Sequence, residues 1–290
     1  MLNRQLQKIG FFFSLPSILF FMVFISIPVL FTIALTFASW QGYDILQIKF
    51  VGFKNYIDLF TDRIMLKSFI NTLIFVTLTT LFLNIFGFFG ALIIDQKIAG
   101  ARFLKNAIFL PVLLSPIIIG IMWSRMLDAF GILNKIIQAL NITNLPILFL
   151  GSSKIAIYTI IIATIWQFTG YDMLLYYAGL QGIPAELLEA ARIDGANGRN
   201  IIFRIILPNL SPVITITLLL NIIGGFKVFD IVFVMTRGGP NHGSEVLATY
   251  LFQQAFRLNN MGAASVIALC IVVLSLAAAI FRLRLTRENI

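Results

Sequence analysis

Six long apolar runs, separated by short polar segments, constrain this chain more than any other feature. They lie at about 11–37, 69–94, 107–127, 155–180, 210–235 and 262–281. A bilayer core takes roughly 20 helical residues to cross, and runs this long and continuous exceed the roughly 9–11 residues of a tilted barrel strand. In hydrocarbon every backbone N–H and C=O must be satisfied within the chain, so each run is expected to be a helix. The fold class is therefore an all-α membrane protein with six transmembrane helices. Charged residues make up 11% of the chain and hydrophobic ones 59%, whereas a soluble domain carries about 25% charged. The first run holds Pro16 and Pro28 and is followed by Trp40 at an interfacial position. It is too long for a typical signal-peptide h-region and reads as a retained span. Residues 1–65 read as that span plus a short external loop, and 66–285 as the core.

Placing the N-terminus inside puts Arg4, Lys8, Lys97, Arg102, Lys105, Arg192, Arg199, Arg204, Arg282, Arg284 and Arg287 on the cytoplasmic side. Lys49, Lys54, Arg63, Lys67, Arg125, Lys135, Lys154, Arg237 and Arg257 then lie outside. The inner segments are shorter, so basic density favours this orientation, with both termini cytoplasmic. The net charge of +9 forms no run or stripe. It suits anionic headgroups, the tail arginines above all, and not nucleic acid. Cys270 lies in the last apolar run and reads as packing. His242, the one histidine, sits in a Gly/Pro/Asn loop and is expected to be solvated. Neither a zinc site nor a Ser/His/Asp set can be assembled from these residues, and no G-x-x-x-x-G-K-[ST] phosphate loop occurs. The chain reads as no enzyme.

Between the fourth and fifth runs lies a polar segment whose local chemistry is readable. Pro184 suits a first helical position, where its missing N–H costs nothing, and Glu186 favours the positive helix end. Leu187, Leu188 and Ala191 make a narrow apolar face, with Ala190 and Ala191 small enough for close approach. Gly195 offers the left-handed turn that ends a helix, and Asn197 can cap a second one running to Leu207, where Pro208 is expected to break it. The pattern Glu189-Ala190-Ala191, three residues, Gly195, nine residues, Ile205-x-Leu207-Pro208 resembles the coupling loop of permease subunits of binding-protein-dependent ABC importers. Gly179–Pro184 and Ile193-Asp194-Gly195-Ala196 look like the carbohydrate-uptake branch, the maltose, glycerol-3-phosphate and multiple-sugar type. Weaker signatures follow in order along the chain: Gly52-x-x-Asn55-Tyr56, Asn71-Thr72, Phe109-Leu110-Pro111, Trp123, Gly131–Asn134, and Phe229-Asp230 with Thr236, Gly238, Gly239 and Pro240. The first outer loop is short, where some relatives insert a domain or extra spans.

The resemblance implies the type I importer permease fold, with a cytoplasmic coupling helix between helices 4 and 5. It implies that Glu189, Ala190, Ala191, Asp194, Gly195, Leu207 and Pro208 form the contact to an ATPase. It also implies a second homologous permease subunit, two cytoplasmic ATP-binding subunits that use the ATP, and an extracytoplasmic solute-binding protein. This chain itself would bind no cofactor. The site would be the cytoplasmic membrane of a bacterium or archaeon, and the cargo a sugar or sugar-like solute. A secondary transporter would show inverted repeats and broken helices; no internal repeat is visible. An intramembrane enzyme would need paired acids or metal ligands at matching depths.

Polar residues inside the runs carry the rest. Asn71, Thr72, Thr77, Thr79 and Asn84 read mainly as interhelical hydrogen-bonding groups. Gln167, Tyr171 and Asp172 cluster near Gly170, and Asn221, Lys227 and Asp230 lie along the fifth run. A charge in hydrocarbon is costly, so these face a cavity or a partner. Lys227 and Asp230, three apart, can simply neutralise one another. Alternatively Tyr171, Asp172, Asn221, Lys227 and Asp230 line a translocation pathway, donating to solute hydroxyls while aromatic rings stack on its apolar faces.

Overall fold

The computed structural model describes residues 13–96 and 100–287, with side chains to 284. Arg4, Lys8, Lys97, the Arg287 side chain and both chain ends lie outside the described residues. The helices fall into two compact units, Met1–Asp62 with Leu251–Cys270, and Arg63–Tyr250 with Ile271–Ile290.

In the first unit α1 runs Phe13–Leu35. Its side chains are almost all exposed, Phe20 at 66% and Phe24 at 64%, which is the expected state of apolar groups that face lipid rather than protein. A two-stranded antiparallel ribbon follows, β1 (Ala38–Ser39) against β2 (Lys49–Phe50), and then α2 (Lys54–Thr61). Asn55, noted in the Gly-x-x-Asn-Tyr turn, explains its own presence: its Nδ2 donates to the carbonyls of Thr36 and Ala38, each at 2.9 Å. Gly52 takes φ +60 at that turn.

The second unit is built on α3 (Arg63–Asp95) packed along α7 (Ala156–Gln181). Two glycines let the backbones approach. A Cβ on Gly87 would lie 2.7 Å from Asp172 Cβ, and one on Gly170 would run into the backbone of Ile108 and Phe109. Between them come α4 (Ala101–Phe109), a 3-10 turn (Leu110–Leu113), α5 (Pro116–Met126) and α6 (Ile132–Ala139). After α7 the chain forms α8 (Ala185–Ile193), α9 (Gly198–Asn209), α10 (Ser211–Phe226), α11 (Asp230–Met235) and α12 (Leu247–Phe252). The last helix, α13 (Met261–Arg287), passes from the first unit into the second.

The six expected spans therefore come out differently shaped. Among the described residues three helices are long and apolar enough to cross a membrane, and counting each of two bent pairs as one span gives up to five. The α7 helix, 26 residues long, is diluted by Gln167, Tyr171 and Asp172. The third run is not one rod: α4 with its 3-10 turn meets α5 at 101°. Pro116 and Ser115 cause this, since proline cannot donate at the first turn and Ser115 Oγ accepts from the Ile117 N–H at 3.3 Å. The fifth run is broken as well, at Lys227–Phe229 between α10 and α11. Gly224 and Gly225 precede that break and weaken the helix there.

Candidate functional site

The polar segment after α7 folds as a short helix, a turn and a second helix. The α8 helix starts after Pro184, and Glu186 sits in its first turn. It closes when the Asp194 N–H donates to Ala190 O and the Ala196 N–H to Ala191 O, each at 2.9 Å, with Gly195 at φ +79. Asn197 then caps α9, its Oδ1 accepting from the Asn200 N–H at 2.8 Å. Pro208 does not end this helix, contrary to expectation. Residues Ile202–Ile206 widen into a π-turn and the Leu207 N–H reaches back to Ile202 O, so the missing Pro208 donor is absorbed within a helix that continues to Asn209. The bend of 69° comes at Leu210, ahead of Pro212.

The expected apolar face is divided between two environments. Leu188, with Ile183, Ile201, Ile202 and Leu207, packs on the cluster around Phe88, Met173, Tyr176 and Leu210. Ala191 is half-buried, whereas Glu189, Ala190 and Asp194 are exposed, as are Leu187 (46%) and Ile193 (86%). One side of the segment is anchored to the helices, and the other offers small, apolar and charged groups to the outside, Arg192 beside Glu189 and Asp194.

The polar residues of the fourth and fifth runs converge on a cavity of about 330 Å³. Tyr171, Asn221, Lys227 and Asp230 line it, beside Phe75, Phe168 and Phe229. Asp172 does not line it: only 1% exposed, it turns toward α3 and accepts from Asn221 Nδ2 at 2.6 Å. The simple Lys227–Asp230 neutralisation is not formed. The helix ends at Lys227 and restarts at Asp230, so the helical three-residue spacing does not exist, and both side chains are exposed. Irregular backbone in an apolar run is tolerated where it lines a cavity. Aromatic rings were expected at the pathway, but not which ones, since phenylalanines look alike in sequence; the Gly224-Gly225 pair ahead of a lysine was the readable signal of the break.

Other polar groups take specific partners. Asn71 Nδ2 donates to Gly243 O and Glu245 O, and Thr72 Oγ1 accepts from the Leu247 N–H at 2.9 Å. Thr79 bonds back to Phe75 O of its own helix. His242 is not merely solvated, since its Nδ1 lies 2.9 Å from Oε2 of the buried Glu245. Arg282 does not simply extend to headgroups either; it donates to Thr215 Oγ1 at 3.3 Å.

Comparison with known proteins fits this architecture. Residues 101–288 match the family model described as the inner membrane component of binding-protein-dependent transport systems. The osmoprotective compounds uptake permease protein GgtC of Synechocystis sp. is 34% identical over 276 residues, covering 93% of this chain and 95% of that protein. The trehalose/maltose transport system permease protein MalF of Thermococcus litoralis is 32% identical over 287 residues, covering 99% and 96%. The crystal structure of a bacterial ABC transporter that imports the acidic polysaccharide alginate superposes with a TM-score of 0.84 at 21% identity, covering 99% and 98% of the two chains. The bent helices, the helical pair between α7 and α10 and the match over most of the length lead to one conclusion: this chain is a membrane permease of the binding-protein-dependent ABC importer family.

Proposed function

We propose that this chain forms one half of the translocation pathway of an ATP-driven importer for a sugar or sugar-like solute. The observation that carries the reading is the cavity at the broken fifth run, where aromatic rings stand beside Asn221, Lys227 and Asp230. Rings stack on the apolar faces of a pyranose while amide and charged groups bond its hydroxyls. The names of the relatives, with trehalose and maltose in one and osmoprotective compounds in another, support that solute class. The other half of the pathway comes from a second homologous permease. Two cytoplasmic ATP-binding subunits supply the energy, and an extracytoplasmic binding protein delivers the solute. In this reading α8 and its turn, with Glu189, Ala190, Ala191, Asp194 and Gly195, dock on an ATP-binding subunit, and Leu207 and Pro208 join that contact to α10. The chain resides in the cytoplasmic membrane of a bacterium or archaeon with both termini inside, and residues 66–285 are its permease core.

Cysteine accessibility tests the pathway. In a Cys270→Ala background, Asn221→Cys and Tyr171→Cys are expected to react with small hydrophilic thiol reagents, at rates that change when ATP or solute is added. Asp172→Cys, on the buried side of the same turn, is expected to react far more slowly. Inert Asn221→Cys and Tyr171→Cys in every state would assign these residues to helix packing.

A further inference from the structure

Three helices meet α10 within its first two turns after the segment that we place against the ATP-binding subunit. Thr217, fully buried on α10, donates to Asn84 Oδ1 of α3 at 2.7 Å. Tyr176 of α7, 2% exposed, donates to the same oxygen at 2.7 Å, and its hydroxyl lies 3.1 Å from that of Thr217. Asn84 is held in turn by its Nδ2, which donates to Thr80 O at 2.7 Å. Two residues nearer the bend at Leu210, Thr215 takes a bond from Arg282 of α13. Four helices are thus tied together by side chains just past the bend between α9 and α10.

We infer that Asn84, Tyr176 and Thr217 form a breakable junction that passes movement of the α8–α9 segment to α3 and α7. They would be positioning residues for transport that never touch the solute. The inference rests on the coupling role proposed above for Glu189–Gly195. Two features set the junction apart from plain helix glue. The Thr217 hydroxyl has fallback acceptors on its own helix, Val213 O at 3.1 Å and Ile214 O at 3.0 Å. It can therefore leave Asn84 without being orphaned, which keeps the cost of separation small. Interhelical bonds of this type are weak in a membrane, so several can open and re-form in each cycle where one strong tie would lock the helices. The junction also lies one helical turn from the polar groups at the cavity. Thr217 and the cavity residue Asn221 are one turn apart on α10, and Tyr176 and the Asn221 partner Asp172 one turn apart on α7.

The test uses the complete transporter, with its permease partner, ATP-binding subunits and binding protein, in liposomes. Thr217→Val and Tyr176→Phe remove hydroxyls while keeping shape. Both are expected to assemble and hydrolyse ATP, while solute moved per ATP falls about three-fold for Tyr176→Phe and about ten-fold for Thr217→Val. Thr217→Ser restores the wild-type ratio. If Thr217→Val does not assemble, Tyr176→Phe decides, since it lacks only one oxygen atom. Wild-type transport per ATP in these variants, or a loss that only tracks the amount of assembled complex, overturns the inference. Gly195→Asp is run alongside. Normal transport by Gly195→Asp removes the coupling reading and this inference with it; arrested transport there beside wild-type junction variants removes this inference alone.

Discussion

Gly195→Asp is expected to abolish solute uptake while the protein still inserts and can be purified from the membrane. The turn has φ +79, and nothing lies within 4 Å of the place a Cβ would occupy, so the isolated chain has room for the side chain. A left-handed conformation costs an ordinary L-residue about 1–2 kcal/mol, less for Asn or Asp, whose side chains bond locally. Backbone strain alone would therefore leave Asp better tolerated than Ala. The larger effect comes from charge. Glu189 and Asp194 are already exposed on this segment, and the carboxylate would sit at the negative end of α8. A further carboxylate that must be covered by a partner adds an unpaired desolvated charge, costing several kcal/mol, or about a hundred-fold or more in coupling. Gly195→Asn separates the two causes: it shares the shape of Asp without the charge and is expected to keep most of the uptake. Vesicle uptake, normalised to inserted protein, measures both variants. Normal uptake with Gly195→Asp would show that this turn contacts nothing during transport.

Gly170→Leu is expected to remove folded protein altogether, and Gly170→Ala to lower thermal stability by at least about 1–3 kcal/mol, the usual cost of overpacking. A Cβ here would meet the Ile108 carbonyl and come within 2.7 Å of Phe109 Cα, both main-chain atoms that cannot swing aside. The contact seats α7 against the end of α4, just ahead of the 101° bend. Gly224 provides the comparison, because a Cβ there meets nothing within 4 Å. Gly224→Ala is expected to leave the melting temperature unchanged or raise it, by restoring helix propensity. Equal stability of Gly170→Ala and Gly224→Ala in a detergent melt would contradict this packing.

What the sequence made legible follows from how local the cause is. Gly195, Asn197 and Pro184 act within one or two turns, and the helix–turn–helix they specify is present with the expected cap and left-handed glycine. The apolar runs were equally plain, because burial in lipid needs only composition and length. Pro208 misled because a proline's missing donor can be taken up by a π-turn several residues earlier, which no propensity rule anticipates. Lys227 and Asp230 misled because an i,i+3 pairing assumes an unbroken helix. Of the junction residues only Asn84 stood out among the polar positions; Tyr176 and Thr217 come from two other runs and carried no local signal. Their convergence depends on how α3, α7 and α10 pack, which is tertiary information. The same holds for the cavity: its polar residues announced themselves by their cost in hydrocarbon, while Phe75, Phe168 and Phe229 could not be told from lipid-facing phenylalanines.

As proposed above, this permease moves solute only through subunits that hydrolyse ATP for it. The direct measurement is reconstitution of the purified chain into liposomes, alone and with the homologous permease, the ATP-binding subunits and the loaded binding protein. Alone, it is expected to show neither ATP hydrolysis nor solute accumulation under any ion gradient. With the full set, hydrolysis stimulated by the loaded binding protein and concentrative uptake are expected to appear together. Concentrative uptake by the chain alone, driven by a proton or sodium gradient, would show that it needs no ATP-hydrolysing partner.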